Sequence, residues 1–312
     1  MDPAVTSDIS IIPIERRDRI LAKLEYIFPE LRKTTVVSFY KLRGFTNSSY
    51  LVEVNNDGLY DKRVYRVAAI HPTSFSGCRN QEREVLELIS DEKWSPSVLS
   101  YDSSTGNAAF KFTEGIPLNK LKVTQDILVS VARVLRQIHN IDLKETSIKQ
   151  YEIIERVDKL QSQVVQLGLE IPDKIKFARD RIIDAFNRAS EIGNSSVLSH
   201  NDCLPENVLL KVDGSVELID WELAGKGLGI FDVALFTRSL NLDLEQMNIF
   251  LSEYGRIDIA NSDIEVLDEL YAVFLLRDYL WCTLQHLIGR VEVDFQEFAQ
   301  SAANKLLSRS LK

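Results

Sequence analysis

Near residue 115 the hydrophobic pattern of the chain changes its period. Before that point, short runs of β-branched and aromatic residues alternate with turn residues and predict four strands, at 36–40, 50–54, 64–70 and 108–112. The Asn-Asn-Asp-Gly segment at 55–58 suits a hairpin between the second and third strands. One helix is predicted at 81–90. We therefore expect the first part of the chain to form an antiparallel sheet with one packed helix.

After residue 115 apolar residues recur mainly at helical spacing. Five helices are predicted, at 126–139, 151–167, 173–192, 243–254 and 264–287. Three short strands interrupt them, at 197–199, 207–211 and 216–219. The predicted fold class is α+β, with a small β-rich lobe at 1–115 and a larger, mainly helical lobe at 116–312.

Composition narrows the choice of partner. The 312 residues are 45% hydrophobic and 27% charged, which is the mixture of an ordinary globular protein with its own core. The formal net charge of -9 leaves no basic surplus to neutralise many phosphates. Nucleic acid is therefore not expected as a partner, whereas the acidic balance suits the approach of a cationic small molecule.

Three features bear on the compartment. The first 14 residues lack the basic start and apolar run of a secretory signal. The most apolar helical stretch, 270–276, is bounded by charged residues and falls well short of the ~20 residues that a membrane span needs. The cysteines are odd in number and far apart, at Cys78, Cys203 and Cys282. A cytoplasmic protein without membrane insertion is expected, since such cysteines fit a reducing compartment.

The densest cluster of polar residues surrounds two of the predicted strands. Asp202 and Asn207 flank a loop that enters one strand, and Asp220 ends the strand after it. Hairpin pairing would bring these three side chains to one edge. Phosphoryl transfer needs such a set, namely a carboxylate for the proton of an attacking hydroxyl and oxygen ligands for Mg²⁺. Taken singly, each residue is equally well explained as a turn or strand-end cap.

Taken together, these residues resemble a known family. The order His-Asn-Asp, Leu-Pro, Asn and Ile-Asp-Trp-Glu, within 200–210 and 218–232, is similar to that of choline and ethanolamine kinases. These belong to the aminoglycoside phosphotransferase and protein-kinase-like superfamily. The resemblance implies a two-lobed protein-kinase-like fold that uses ATP and Mg²⁺. It makes Asp202 the catalytic base, Asn207 and Asp220 the metal ligands, and His200 and Asp232 residues that order the catalytic loop.

The resemblance also extends into the first lobe. The segment 42–50 is similar to the family's nucleotide loop, where Thr46, Asn47 and Ser48 could cover the phosphates. Arg66 occupies the position of the basic strand residue that contacts phosphates, and a guanidinium suits that task because it bonds oxygens in pairs. The family pattern implies that Glu82 pairs with Arg66, with Glu84 as the alternative.

Two further segments are assigned by the same resemblance. One is similar to the hinge whose backbone binds adenine, and it consists of Phe112, Thr113 and Glu114. The other is the C-terminal helix, where Trp281 falls at a position that lines the acceptor pocket in the family. A quaternary ammonium gains its binding energy from aromatic faces.

The acceptor pocket departs from the family pattern. Leu223 stands where the family usually has tyrosine, and Asp278 stands one helical turn before Trp281 where it often has an aromatic residue. Glu222 and Asp278 could instead bind a primary ammonium by charge-assisted hydrogen bonds. The expected substrate is a small cationic amino alcohol such as choline or ethanolamine, and the incomplete set of aromatic residues favours an ethanolamine-like one.

Other functions compatible with the same residues are thiamine kinase and aminoglycoside phosphotransferase. A non-catalytic pseudokinase is disfavoured because Asp202, Asn207 and Asp220 are all present. A protein kinase is disfavoured because no Asp-Phe-Gly or Ala-Pro-Glu segment follows Asp220.

Overall fold

The protein folds into two lobes joined near residue 115. The structure is a computed structural model, and it describes residues 9–10, 12, 14–42, 44, 46–69, 79–192, 196–255, 261–291 and 293–310. The first lobe contains a large antiparallel sheet, and the second is mainly helical. The expected α+β class and two-lobed arrangement are confirmed. The chain leaves the large sheet after its sixth strand, close to the predicted lobe boundary.

The sheet of the first lobe has six strands in the order β1-β2-β3-β4-β6-β5. They are β1 (Ile9–Ser10), β2 (Thr35–Leu42), β3 (Ser48–Asn56), β4 (Leu59–Val67), β5 (Val98–Tyr101) and β6 (Ala108–Lys111). All neighbouring strands are antiparallel. The predicted hairpin joins β3 to β4, and both turn residues have positive φ, 51° at Asp57 and 91° at Gly58. Those angles are why Asp-Gly suits this turn.

Two helices rather than one pack in this lobe. The second, α2 (Arg79–Leu88), was predicted, but α1 (Ile14–Ile27) was not. Leu24 of α1 is buried with Phe28 and Leu31 against Phe39 and Val52 of the sheet. Half of the 14 residues of α1 are charged, so its apolar stripe becomes obvious only once the sheet covers it.

The second lobe contains seven helices within the described residues. They are α3 (Gln125–His139), α4 (Ile153–Gln166), α5 (Asp173–Ile192), α6 (Gly229–Ser239), α7 (Leu244–Tyr254), α8 (Asn261–Leu287) and α9 (Phe295–Ser310). Five of them match the predicted helices, whereas α6 and α9 were not predicted. Helix α8 packs against α4, α5, α6 and α9, which explains why its middle is buried and mostly apolar. Among the helices of the described residues, none has the length and apolar character needed to cross a bilayer.

Two small sheets carry the polar segment of the second lobe. One has the order β10-β9-β7 and the other pairs β11 with β8. Their strands are β7 (Gly115–Pro117), β8 (Val197–Ser199), β9 (Val208–Lys211), β10 (Val216–Leu218) and β11 (Gly225–Gly227). Because β7 directly follows the last strand of the first lobe, this sheet lies at the junction of the lobes. The loops that leave β8 and β10 therefore open toward the cleft between the lobes.

Candidate active site

The loop between β8 and β9 carries Asp202 and Asn207. The side-chain amide of Asn207 donates from Nδ2 to the backbone carbonyl of Asp202 at 2.9 Å and to its Oδ2 at 3.1 Å. The backbone carbonyl oxygen of Asn207 accepts a hydrogen bond from the backbone amide of Ile219 at 2.9 Å, and Ile219 directly precedes Asp220. The structure thus brings Asp202 and Asn207 into contact and places Asp220 one residue after a backbone hydrogen bond to Asn207. Since Asn207 uses its nitrogen on Asp202, its side-chain oxygen is the atom suited to a cation.

Asp220 has an unusual backbone and an unusual charge environment. Its φ of 67° and ψ of 59° are left-handed, a conformation that non-glycine residues rarely adopt and that often occurs at functional sites. Although the side chain opens onto the cleft, desolvation raises the pKa of its carboxyl, and Asp202 and Glu82 add to the rise against the opposing effect of Arg66. Such a carboxylate would gain from a nearby cation.

Asp232, at the start of α6, braces the catalytic loop as expected. Its two carboxylate oxygens accept from the backbone amides of His200 at 2.7 Å and Asn201 at 2.8 Å. The ring of His139 adds a third contact at 3.1 Å, and its other nitrogen contacts the Tyr254 hydroxyl at 2.7 Å. These contacts fix two consecutive residues before Asp202, one of which, Asn201, is itself left-handed with a φ of 61°.

His200 is a structural residue of this loop. Its Nε2 lies 3.0 Å from the carbonyl oxygen of Ile219, so this nitrogen must carry the proton. Burial lowers the pKa of the imidazole, and the ring packs on Trp221 with centroids 4.6 Å apart. A neutral histidine thus ties the catalytic loop to the segment before Asp220, as the sequence predicted.

Across the cleft, Arg66 on β4 and Glu82 on α2 form a two-bond ion pair. The guanidinium nitrogens lie 2.6 and 2.9 Å from the two carboxylate oxygens, and both residues are buried. The predicted pairing with Glu82 is confirmed. The alternative partner, Glu84, instead accepts hydrogen bonds from Ser147 of the second lobe. The hydroxyl of Tyr101 donates to Glu82 at 2.8 Å, a contact that sequence reasoning missed.

The nucleotide loop reaches the second lobe through Asn47. Its Nδ2 donates to Oε2 of Glu222 at 2.8 Å, and its Oδ1 accepts from the amide of Ala69 at 3.2 Å. Thr46 precedes β3 and Ser48 begins it. Within the segment predicted as this loop, Arg43 and Phe45 lie outside the described residues. Roles for Thr46, Asn47 and Ser48 in nucleotide binding stay predictions.

The predicted hinge lies between β6 and β7. The amide of Phe112 is already used by the carbonyl of Lys62, at 2.9 Å. Thr113 donates from its hydroxyl to Glu217 at 2.5 Å, and Glu114 pairs with Lys62 at 2.9 Å. Backbone contacts to an adenine ring would therefore fall to Thr113 and Glu114 rather than to the amide of Phe112.

The three predicted acceptor residues are not all brought together. Glu222 contacts the first lobe through Asn47, whereas Asp278 and Trp281 lie on α8. Desolvation raises the pKa of Asp278 to about 6, and Asp202 contributes to that rise. Trp281 is only 8% exposed and packs edge-on against Phe295, with ring centroids 5.7 Å apart. The assignment of these residues to the acceptor stays a prediction, but Glu222 lies on the nucleotide-loop side of the cleft.

Two charged residues beside Asp202 were missed by sequence reasoning. Arg277 donates to Oδ1 of Asp202 at 2.6 Å. Glu206 has a raised carboxyl pKa because of desolvation, with Asp202 and Asp278 adding to the effect. An arginine next to an aspartate in the most apolar helix is a usable signal, since buried charges require partners. Glu206 carries no comparable signal.

The residues present fit a divalent cation held jointly with nucleotide phosphates. In the described part of the chain, no cluster of three or more His, Cys, Asp or Glu side chains is arranged to hold a metal ion alone. Mg²⁺ commonly takes one or two carboxylates and completes its shell with phosphates and water. Asp220 and the side-chain oxygen of Asn207 suit this mode, and Glu222 adds a second carboxylate. Desolvation and the charge of Asp220 both raise the pKa of Glu222.

Comparison with known proteins agrees with this geometry. The sequence model of the choline/ethanolamine kinase family matches residues 41–305. A Protein LicA homolog of Metamycoplasma hominis is 34% identical over 145 residues, which cover 46% of this chain and 55% of that protein. The chain thus matches about half the length of that curated relative.

Solved structures share the fold. The choline kinase LicA from Streptococcus pneumoniae superposes with a TM-score of 0.74 at 20% identity, covering 94% of this chain and 99% of that one. An ethanolamine kinase from Plasmodium vivax gives a TM-score of 0.75 at 18% identity, covering 96% and 90%. The family match spans most of both lobes, and it includes the Arg66–Glu82 pair and the Asp202, Asn207 and Asp220 cluster. On these grounds the chain belongs to the choline/ethanolamine kinase family.

Proposed function

We propose that this protein is an ATP- and Mg²⁺-dependent kinase that phosphorylates the hydroxyl group of a small cationic amino alcohol. The observation that carries the proposal is the junction of Asp202 and Asn207 in one loop, next to Asp220 across the hairpin. A proton acceptor beside two oxygen ligands is what phosphoryl transfer to an alcohol requires. Members of the same family supply the class of acceptor.

In the proposed reaction the acceptor oxygen attacks the γ-phosphorus of ATP and the bond to the ADP oxygen breaks. The hydroxyl proton passes to the carboxylate of Asp202. Asn207 holds Asp202 from one side, and Asp232 holds the backbone before it, so the base is oriented before substrate arrives. Such preorganisation is the main catalytic device available to a kinase, because little covalent chemistry falls to the protein.

The nucleotide is assigned to the cleft between the lobes. A LicA structure of the same fold was solved in complex with AMP, which supports an adenine nucleotide. We assign the phosphates to Arg66, held in place by Glu82, and the adenine to the backbone of Thr113 and Glu114. Bound Mg²⁺ would neutralise phosphate charge, with Asn207 and Asp220 as its protein ligands.

We assign the acceptor to the face where Asp202 meets α8. Asp278 and Glu206 both carry carboxyls whose pKa values are raised by desolvation. A cationic head group placed there would be stabilised by the carboxylates and would in turn stabilise their charged forms. Trp281 is almost fully buried, so it offers little of its ring to a quaternary ammonium. This favours a primary ammonium, as in ethanolamine, over choline.

The direct test measures ATP consumption with Mg²⁺ for ethanolamine, choline, thiamine and several aminoglycosides. The D202N variant is run alongside, because asparagine keeps the shape of the side chain but cannot take the proton. Turnover with a small amino alcohol that falls to a small residual rate in D202N, at unchanged thermal stability, supports the proposal. Turnover restricted to thiamine or to an aminoglycoside would replace the proposed acceptor class, and equal turnover by D202N would refute the role of the base.

A further inference from the structure

Arg277 of α8 links the helix of the acceptor face to the catalytic loop. Its Nη2 donates to Oδ1 of Asp202 at 2.6 Å, and its Nη1 donates to the backbone carbonyl of Asn201 at 3.1 Å. The Tyr151 hydroxyl lies 3.4 Å from the same Nη1, and the guanidinium carbon stands 4.8 Å from the ring centre of Phe274. The guanidinium of Arg277 therefore hydrogen-bonds to two consecutive residues of the loop, Asn201 and Asp202.

The position is costly for a charged side chain. Arg277 is only 4% exposed, so folding removes its guanidinium from water. Burial by itself lowers the pKa of an arginine, yet Tyr151 and Asp202 more than offset that effect and keep Arg277 charged. A buried ion pair of this kind is often no more stabilising than an apolar replacement. Stability is therefore a weak reason for an arginine at this position.

The two oxygens of Asp202 are held by different donors. Arg277 bonds Oδ1, and the amide of Asn207 approaches Oδ2 at 3.1 Å. The Arg277 bond is short and charge-assisted, whereas that of Asn207 is longer and neutral. Together they fix the plane of the carboxylate and leave Oδ2, with its weaker donor, as the oxygen that takes the proton of the acceptor.

We propose that Arg277 is a positioning residue that orients the carboxylate of Asp202 toward the acceptor hydroxyl. The inference rests on the proposed function, since it assigns how the base of that reaction is held. Asp278 follows Arg277 directly, so one turn of α8 carries both the group that orients the base and a carboxylate for the cationic head group. One rigid helix thereby sets the separation between the base that faces the acceptor hydroxyl and the carboxylate that faces its ammonium group.

The proposal predicts a particular split in the kinetic constants. Replacing Arg277 by Gln removes the charge and the fork, so kcat should fall by about 10²-fold, the typical cost of misplacing a catalytic group by about 1 Å. KM for ATP should stay within about twofold, because the hydrogen bonds of Arg277 to Asp202, Asn201 and Tyr151 involve residues that we do not assign to the nucleotide. R277K keeps the charge without the fork and should recover part of the loss.

The experiment is a double-mutant cycle of R277Q and D202N, measured with ATP and the best acceptor of the panel. If Arg277 acts through Asp202, R277Q costs about 10²-fold in the native background and less than about twofold in the D202N background. An equal loss in both backgrounds would show that Arg277 only supports the fold, and it would overturn the proposal. An unchanged kcat of the R277Q variant in the otherwise native protein would also overturn the proposal.

A matched control separates folding from positioning. Arg238 of α6 forms an ion pair with Asp268 of α8, with its Nε 2.8 Å from Oδ1, and Asp268 lies nine positions before Arg277 on that helix. R238Q should leave kcat within about twofold. If R277Q does not fold, R277K carries the test through the same cycle, with ATP binding as the check on its fold. Absence of turnover by the unaltered protein would overturn the proposed function, whereas turnover that is insensitive to Arg277 overturns this inference alone.

Discussion

Asn47 of the first lobe donates a hydrogen bond of 2.8 Å to Glu222 of the second lobe. The two residues are 175 positions apart in the chain, and the contact joins the nucleotide loop to the segment just after Asp220. Sequence reasoning predicts that Glu222 binds the acceptor, and the contact with Asn47 leads us to expect it beside the nucleotide instead. Desolvation raises the carboxyl pKa of Glu222 and the charge of Asp220 adds to that rise, which is the situation that a divalent cation relieves.

The first prediction concerns the role of Glu222. E222Q should raise the Mg²⁺ concentration needed for half-maximal activity by about tenfold and change the acceptor KM by less than about twofold, because it removes a carboxylate beside Asp220. Magnesium titrations at saturating ATP and acceptor measure both. The Asn47 contact survives in E222Q, since the amide oxygen of Gln can still accept. A raised acceptor KM with normal Mg²⁺ dependence would contradict this prediction and would instead support a role for Glu222 in binding the acceptor.

The second prediction concerns the buried pair of Arg66 and Glu82. E82A leaves the guanidinium of Arg66 buried without its partner, so unfolding free energy should fall by about 3–5 kcal/mol, and KM for ATP should rise at least tenfold. Denaturant unfolding and steady-state kinetics measure the two effects. E84Q is the matched control, because Glu84 lies on the same helix but faces Ser147. Equal effects of E82A and E84Q on KM for ATP would contradict the assignment.

The third prediction concerns the brace at Asp232. D232N replaces one accepting oxygen by a donor, so it must leave one of the amides of His200 and Asn201 unpaired. A buried unpaired group costs about 1–3 kcal/mol, and the displaced loop should lower kcat at least tenfold. Thermal unfolding and kcat provide the readouts. D243N is the control, since Asp243 caps α7 and asparagine caps a helix equally well.

The fourth prediction concerns the free-energy cost of ionising the Asp278 carboxyl in the folded protein. Because desolvation raises its pKa from about 3.8 to about 6, the folded state favours the protonated form. The stability penalty is absent below about pH 3.8, grows as pH rises from there to about 6, and reaches about 3 kcal/mol above it. D278N should therefore raise Tm at pH 7.5 and raise it roughly half as much at pH 5. It should also weaken binding of the cationic acceptor, the usual exchange of stability for function.

Two outcomes would contradict that prediction. An equal rise of Tm at both pH values would mean that ionisation of Asp278 carries no penalty. An unchanged acceptor KM in D278N would remove Asp278 from the acceptor site. With the native protein, the acceptor KM should increase as pH falls below about 6, since the protonated carboxyl no longer attracts a cation.

Much of the second-lobe site was predictable because its residues are near one another in sequence. Asp202 and Asn207 are five positions apart, and Asp220 follows across a tight hairpin whose pairing brings Ile219 to Asn207. Strand alternation and turn residues determine such arrangements locally. The pairing of Arg66 with Glu82 was also predictable, but only through resemblance to a family, since strand and helix come together through the tertiary fold.

The helices likewise divide into those that the sequence predicts and those that it misses. The predicted helix at 126–139 matches α3 closely because it has a strong apolar stripe. Helix α6 was missed because it is buried on nearly every side, so it lacks the alternation of apolar and polar faces that marks a helix in a sequence. Helix α1 was missed because half of its 14 residues are charged, so its apolar stripe is weak in the sequence.

By itself the sequence determined most of the strands and helices, the placement of Asp202, Asn207 and Asp220 along one hairpin, and the family to which the chain belongs. The tertiary structure decided which charges meet. It placed Arg277 on Asp202, 75 residues away, joined Glu222 to Asn47 of the first lobe, and buried Trp281 against Phe295. Local spacing cannot determine these contacts, because each depends on how α8 and the first lobe pack around the loop. The charges in this site are thus set by long-range packing, while the positions of its catalytic groups follow from short-range hydrogen bonding.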